Sequence, residues 1–145
     1  MAGQHRLIAI VDDVNRYPEI SETNNQFELD FSVLPANEVQ LPDSTVDSIG
    51  FETDPAGQVI LTATVSNIGP APTPNVVGVA FFVDGPYTTY GVTQPMAAGA
   101  TETIRAIKAL PLHGPHTITA IVDDVNRYDE LSHQNNALTR EITFA

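Results

Sequence analysis

The chain has 145 residues, with 18 acidic side chains against 6 basic ones, a net charge of −12, and no Cys or Trp. That balance argues against nucleic acid and against an anionic membrane surface, whose phosphates need Lys and Arg, and it leaves cations and neutral ligands such as glycans. The absence of Cys excludes a disulfide framework and a thiolate metal site, and the length bounds the chain to one core with an extra element.

Taken in order, residues 5–11 alternate as a strand, with Leu7, Ala9 and Val11 facing one way. Asp12 to Asn25 is polar, contains Pro18 and predicts a long loop. Phe27, Leu29, Phe31 and Val33 then alternate with Glu28, Asp30 and Ser32, which predicts a half-buried strand and closes a β-hairpin. Leu34 to Ser48 has two prolines and little apolar periodicity, and reads as a linker, with a strand beginning near Val46 and ending near Glu52. After the turn Asp54-Pro55-Ala56-Gly57, Val59, Leu61, Ala63 and Val65 form the clearest strand of the chain. The prolines between Pro70 and Pro74 mark a loop that cannot pair in a ladder. Val77 to Val83 is a further strand, ending in the hairpin signal Asp84-Gly85. Tyr87 to Val92 reads as a short edge strand. Thr101 to Ile107 is another, with Ile104 and Ala106 toward the core. No helical period appears, and no apolar run is long enough to cross a membrane or pattern suggests a signal peptide. Short strands punctuated by turns and closed by a long hairpin describe an all-β chain, an immunoglobulin-like antiparallel β-sandwich.

The opening hairpin returns at the other end. Val11-Asp12-Asp13-Val14-Asn15-Arg16-Tyr17 is repeated letter for letter as Val122-Asp123-Asp124-Val125-Asn126-Arg127-Tyr128. His5 to Val33 aligns without a gap onto His116 to Phe144, with roughly half the positions identical. The expected organisation is therefore a β-hairpin equivalent to the last two strands of a preceding repeat (1–34), a linker (35–45) and a complete sandwich (46–145).

The run Gly57-Gln58-Val59, Thr62 to Gly69 and Val79-Ala80-Phe81-Phe82-Val83-Asp84-Gly85, with the ending Val122 to Arg127, Glu130 and Asn135-Asn136, resembles the CARDB family, the cell-adhesion-related domain found in bacteria. The likeness covers about Val46 to Ala145, and His5 to Val33 as the end of an earlier copy. It implies an Ig-like sandwich, no catalysis, and an accessory role in a secreted or surface-attached bacterial protein, among them polysaccharide-degrading enzymes. The copies differ where Glu22 stands for His133, so a cation would bind the two loops differently.

The repeated loop offers hard oxygen donors: Asp12, Asp13, Asn15, Glu19, Glu22, Asn24 and Asn25 in the first copy, and Asp123, Asp124, Asn126, Glu130, Asn135 and Asn136 in the second. Crowded carboxylates and carboxamides suit Ca²⁺, which takes about six to eight oxygens. The alternative is structural: Asn side chains satisfy loop backbone groups, and the acids pair with Arg16 or Arg127. A buried Asn135 or Asn136 would do so where the loop re-enters the sheet. Tyr87, Tyr90 and Phe82, with Tyr128, are the candidates for a carbohydrate-binding platform, since pyranose C–H faces pack on aromatic rings. The carboxyl pair Asp123 and Glu130 has the residue types of a glycosidase, but it lies in one loop beside Arg, and no nucleophile–base constellation accompanies it.

The expected function is thus a non-catalytic accessory module, spacer or adhesion element, stiffened by Ca²⁺ at the acidic loop. The competing reading is a carbohydrate-binding module of a polysaccharide-degrading enzyme. The expected partners are neighbouring domains of the same polypeptide, a polysaccharide, and a second copy forming a homodimer through the N-terminal hairpin, whose apolar stripe is too large to stay bare. The expected location is secreted or at the bacterial cell surface.

Overall fold

The computed structural model describes residues 1–14, 16–21, 23–35 and 39–145. They form two compact units, Met1–Val39 and Gln40–Ala145. The first holds strands β1 (Gly3–Ile10) and β2 (Gln26–Val33), an antiparallel hairpin. The second holds β3 (Ser44–Thr53), β4 (Val59–Asn67), β5 (Val77–Val83), β6 (Tyr87–Thr93), β7 (Thr101–Arg105), β8 (Gly114–Val122) and β9 (Ala137–Phe144). They make two antiparallel sheets, ordered β3-β4-β7 and β6-β5-β8-β9. The all-β, antiparallel expectation holds. The strand expected to begin near Val46 begins at Ser44, and the one expected to run to Ile107 stops at Arg105.

The core of the second unit follows the period of two. Leu61, Ala63 and Val65 of β4 face Val77, Val79 and Phe81 of β5, with Ile118, Ala120 and Val122 of β8 beside them, all essentially inaccessible. In β3 the register slips between Val46 and Ser48. This bulge turns both Val46 and Ile49, three residues apart, toward the core. Phe51 near the end of β3 meets Phe144 at the end of β9 edge to face, with ring centroids 4.9 Å apart. At the other end, Thr45 Oγ1 donates to Asn135 O at 3.2 Å, just before β9 begins. So β3 and β9 lie in opposite sheets and run the same way.

The β4–β5 connection is held by Asn67, which is fully buried. Its Oδ1 accepts from Asp43 N–H (3.0 Å) and Gly69 N–H (3.2 Å), and its Nδ2 donates to Ala71 O at 2.8 Å. The segment Leu41–Asp43 lies so tightly on Gly69 that a Cβ there would meet Asp43 N and Leu41 O at 2.5 Å. Backbone atoms cannot yield as a flexible side chain would. Gly69→Ala is expected to cost about 1–3 kcal/mol of stability, as overpacking does. Urea unfolding should show this as a lower midpoint at unchanged slope, and an unchanged midpoint would refute the close approach.

Candidate functional site

The loop between β8 and β9 is built outward from Asp123, which is 1 % exposed and has a left-handed backbone (φ 47°). Asp tolerates that conformation because its short side chain bonds the chain ahead of it. Its Oδ1 accepts the main-chain N–H of Arg127 at 2.9 Å. Asn126 N–H returns to Asp123 O at 2.9 Å, which closes the turn. The Arg127 guanidinium forms no ion pair with the loop acids among the described residues. It lies over Gly78 of β5, where a Cβ would come within 2.6 Å of Nη1.

Further along the loop, Glu130 has a side chain with no exposed surface. Its Oε1 accepts the N–H of Ser44 at 2.8 Å, its Oε2 accepts Asn136 Nδ2 at 2.6 Å, and His133 Nδ1 stands 3.2 Å from Oε2. Tyr128 OH meets Ser44 Oγ at 3.0 Å. Asn135 Nδ2 donates to Asp43 Oδ1 at 2.8 Å, and Leu131 N–H donates to Pro42 O at 3.0 Å. Glu130, Asn135 and Asn136, three of the candidate cation ligands, thus tie the last hairpin to the start of the first strand of the sandwich. Asp124 and Asn126 are exposed.

Three oxygens in this region are buried without a hydrogen-bond partner: Asp123 Oδ2, Asn135 Oδ1 and Asn136 Oδ1. Such atoms are costly unless something completes them. As a donor set they fit a cation only in part. Both Glu130 oxygens are engaged, and no group of three His, Asp or Glu side chains among the described residues is placed to hold a metal.

The first copy repeats the local geometry. Asp12 has φ 49°, its Oδ1 accepts Arg16 N–H at 2.7 Å, and Val11 N–H donates to Asn25 O at 2.9 Å, as Val122 N–H does to Asn136 O. Asp13, Glu19 and Asn24 are exposed, and Asn25 is partly buried. Asn15 and Glu22 lie outside the described residues.

The aromatic candidates separate. Tyr128 is buried and leaves the surface set. Tyr87 and Tyr90 are exposed and occur on β6, the edge strand of the four-stranded sheet. Three residues apart, they should face opposite ways in a regular strand. The pairing Phe81 with Thr89 but Phe82 with Tyr87 leaves Thr88 over as a bulge, which puts both rings on the outer face. Phe82 meets Tyr87 edge to face, with centroids 5.9 Å apart. Tyr87, Tyr90 and Val92 form one wall of an open groove of about 400 Å³, Gly78 and Ala80 its floor, and Asp124 and Arg127 the other wall. Sequence reasoning missed Arg127 as a groove residue because the acids around it suggested an internal ion pair. It missed Asp43 and Ser44 because two prolines made their surroundings look like a linker.

Burial pushes the Tyr128 hydroxyl up to about 12, against a hydrogen bond from Ser44 that lowers it. In the unfolded chain the phenol ionises near 10. Between these values the unfolded state loses a proton that the folded state keeps. Stability that is full below about pH 10 is therefore lost as pH rises toward 12. Tyr128→Phe should flatten that part of the alkaline stability curve in denaturant titrations at pH 9 to 12. An equally steep loss in the variant would contradict the assignment.

The CARDB family model matches residues 41–140. The crystal structure of the CARDB domain of the PF1109 protein from Pyrococcus furiosus, in complex with di-metal ions, is similar at TM-score 0.54 and 21 % identity, over 72 % of this chain and 89 % of that one. The solution structure of a domain of a putative cell surface protein from Methanosarcina acetivorans is similar at TM-score 0.61 and 23 % identity, over 72 % and 93 %. No curated protein sequence matches the chain.

Proposed function

The chain belongs to the CARDB family, and on that premise we propose that it is a non-catalytic accessory module of a secreted or surface-attached multidomain protein, acting as a spacer and adhesion element. The observation that carries this reading is the path of the chain through the sandwich. It comes in at Ser44, gripped by Glu130 and Tyr128, and goes out at Phe144, packed on Phe51 at the opposite end. Such a unit strings end to end with its neighbours. The loop acids that could have formed a catalytic pair are used otherwise: Asp123 caps Arg127 N–H, and Glu130 closes the sandwich.

The groove favours a second reading, a carbohydrate-binding module. Two exposed tyrosines share a face there, opposite an acid and a guanidinium with no ion pair among the described residues. Rings stack on sugar C–H faces, and Asp124 with Arg127 offers acceptors and donors for neighbouring hydroxyls. The net charge of −12 favours a neutral glycan over an anionic one. Co-sedimentation with insoluble polysaccharides separates the readings. A binder is retained and loses on the order of tenfold in affinity in Tyr87→Ala or Tyr90→Ala. A plain spacer stays in the supernatant.

Calcium stiffening of the acidic loop is the finer part of the proposal. The orphan oxygens of Asp123, Asn135 and Asn136 support it, and the similar Pyrococcus domain holds di-metal ions. A ligand that binds only the folded state raises its melting temperature. Melts in excess EDTA and in millimolar Ca²⁺ should then differ by roughly 5 °C or more. Asp123→Asn, which keeps an oxygen for Arg127 N–H but loses the carboxylate, should abolish the difference. Identical melts of the parent chain would remove calcium from the account.

A further inference from the structure

The hairpin β1–β2 and the hairpin β8–β9 are paired in the same register. His5 opposite Phe31 corresponds to His116 opposite Ile142, and Ile10 opposite Gln26 corresponds to Ile121 opposite Ala137. The faces therefore correspond residue by residue. In β8–β9 that face lines a core: Ile118, Ala120, Val122 and Phe144 are at most 3 % exposed and Leu138 and Ile142 are partly buried against it, while Arg140, the counterpart of Leu29, reaches solvent. On β1–β2 the matching face has Leu7, Phe27, Leu29, Phe31 and Val33, which are 40–63 % exposed. The contrast extends to the loop, where Tyr128 is 7 % exposed and its counterpart Tyr17 is 69 % exposed.

The second unit shows what covers such a face. Strands β3, β4 and β7 pack across it, β5 pairs with its edge, and the start of β3 is plugged into the loop. The plug has definite chemistry. Ser44 supplies an N–H for Glu130 and a hydroxyl for Tyr128, and Asp43 supplies a carboxylate for Asn135. Tyr17, Glu19 and Asn24 repeat those three sockets in the first unit.

We propose that the apolar face and loop of β1–β2 are a docking surface for the opening strands of another CARDB-type sandwich, strands of the β3–β7 kind whose first residues present an Asp-Ser-like pair to Asn24, Glu19 and Tyr17. Exchange between copies of this chain does not satisfy it. Each copy has one set of opening strands and two closing hairpins, so a swap always leaves one hairpin over. Polar sockets also distinguish this occupant from a second copy of the hairpin, which has no counterpart of the Asp43-Ser44 pair that fills the sockets of the second unit. The proposal extends the spacer reading to the first unit, and it stands whether or not the groove takes a glycan.

The repeat provides the experiment, because Gly3 occupies the place of Gly114. Residues 40–113 are placed ahead of Gly3 in the otherwise intact chain, so that His113 runs into Gly3 as it natively runs into Gly114. The proposal expects two folded sandwiches. Amide exchange at Leu7, Ala9 and Phe27 should slow on the order of a hundredfold or more relative to the unextended chain. Tyr17→Phe with Glu19→Ala should lower the melting of the added sandwich alone. Val33→Phe, which restores the ring found at Phe144, serves as a second version in case the smaller side chain leaves a void. The idea is overturned if both versions leave β1–β2 exchanging as before. It is also overturned if the unextended chain already shows full protection through a concentration-dependent dimer.

Discussion

The sandwich depends on the position of one carboxyl group. Glu130 is taken out of water altogether, a cost of several kcal/mol unless its oxygens are satisfied. They are satisfied by groups from two strands that start at the same end of the sandwich: the Ser44 N–H, where β3 starts, and the Asn136 amide, where β9 starts. These groups are far apart in sequence and belong to opposite sheets. The hydrophobic core presses the sheets together without direction; Glu130, with Tyr128 and Asn135 around it, fixes which residues face each other at the open end. Asn67 does the same one layer away by holding the Asp43 N–H and the turn after β4. The arriving chain is clamped on both sides, and Gly69 is bare so that it can lie there.

The two copies of the Asp-Asp-Val-Asn-Arg-Tyr loop separate local from tertiary causes. In both, an Asp with left-handed backbone accepts the N–H four residues on, and the strands flanking it pair in one register. The first copy does this with its outer residues in solvent, so the turn is determined by its own sequence. Burial of Tyr128 and Glu130 is different. It needs Asp43 and Ser44, and where no such segment is supplied within the unit, the same side chains stand exposed. A motif of this kind carries its conformation with it, while its function as a closure is conferred by what docks.

This distinction also explains how much of the molecule was legible in advance. Alternation named β1, β2, β4 and β5, because a strand with one apolar face shows a period of two, although every residue of β2 is exposed in the structure; β8 and β9 were read from the repeat. The repeat paired the two hairpins, whose strands share one register. The bulges were not legible: a lone Asp47 or Thr88 inside a strand carries no bulge signal, yet each reverses which side chains share a face. That is why the common orientation of Tyr87 and Tyr90 emerges only from the pairing. Ser44 was hidden for another reason. Its importance lies in a backbone N–H, which every non-proline residue has, so no side-chain pattern advertises it. Arg127 was visible as a charge, but its resting place depends on Gly78 leaving room on the adjacent strand.

The shared direction of β3 and β9 has a mechanical meaning. Tension on a chain threaded through this unit pulls the start of β3 one way and the end of β9 the other. Each of these strands is then dragged lengthwise along its partner, β4 or β8, so that many hydrogen bonds bear the load at once and must break together. A hairpin such as β1–β2 is loaded differently, because its ends Gly3 and Val33 face each other. It would open from that end one pair at a time. The sandwich converts an easily unzipped hairpin into a link loaded in shear.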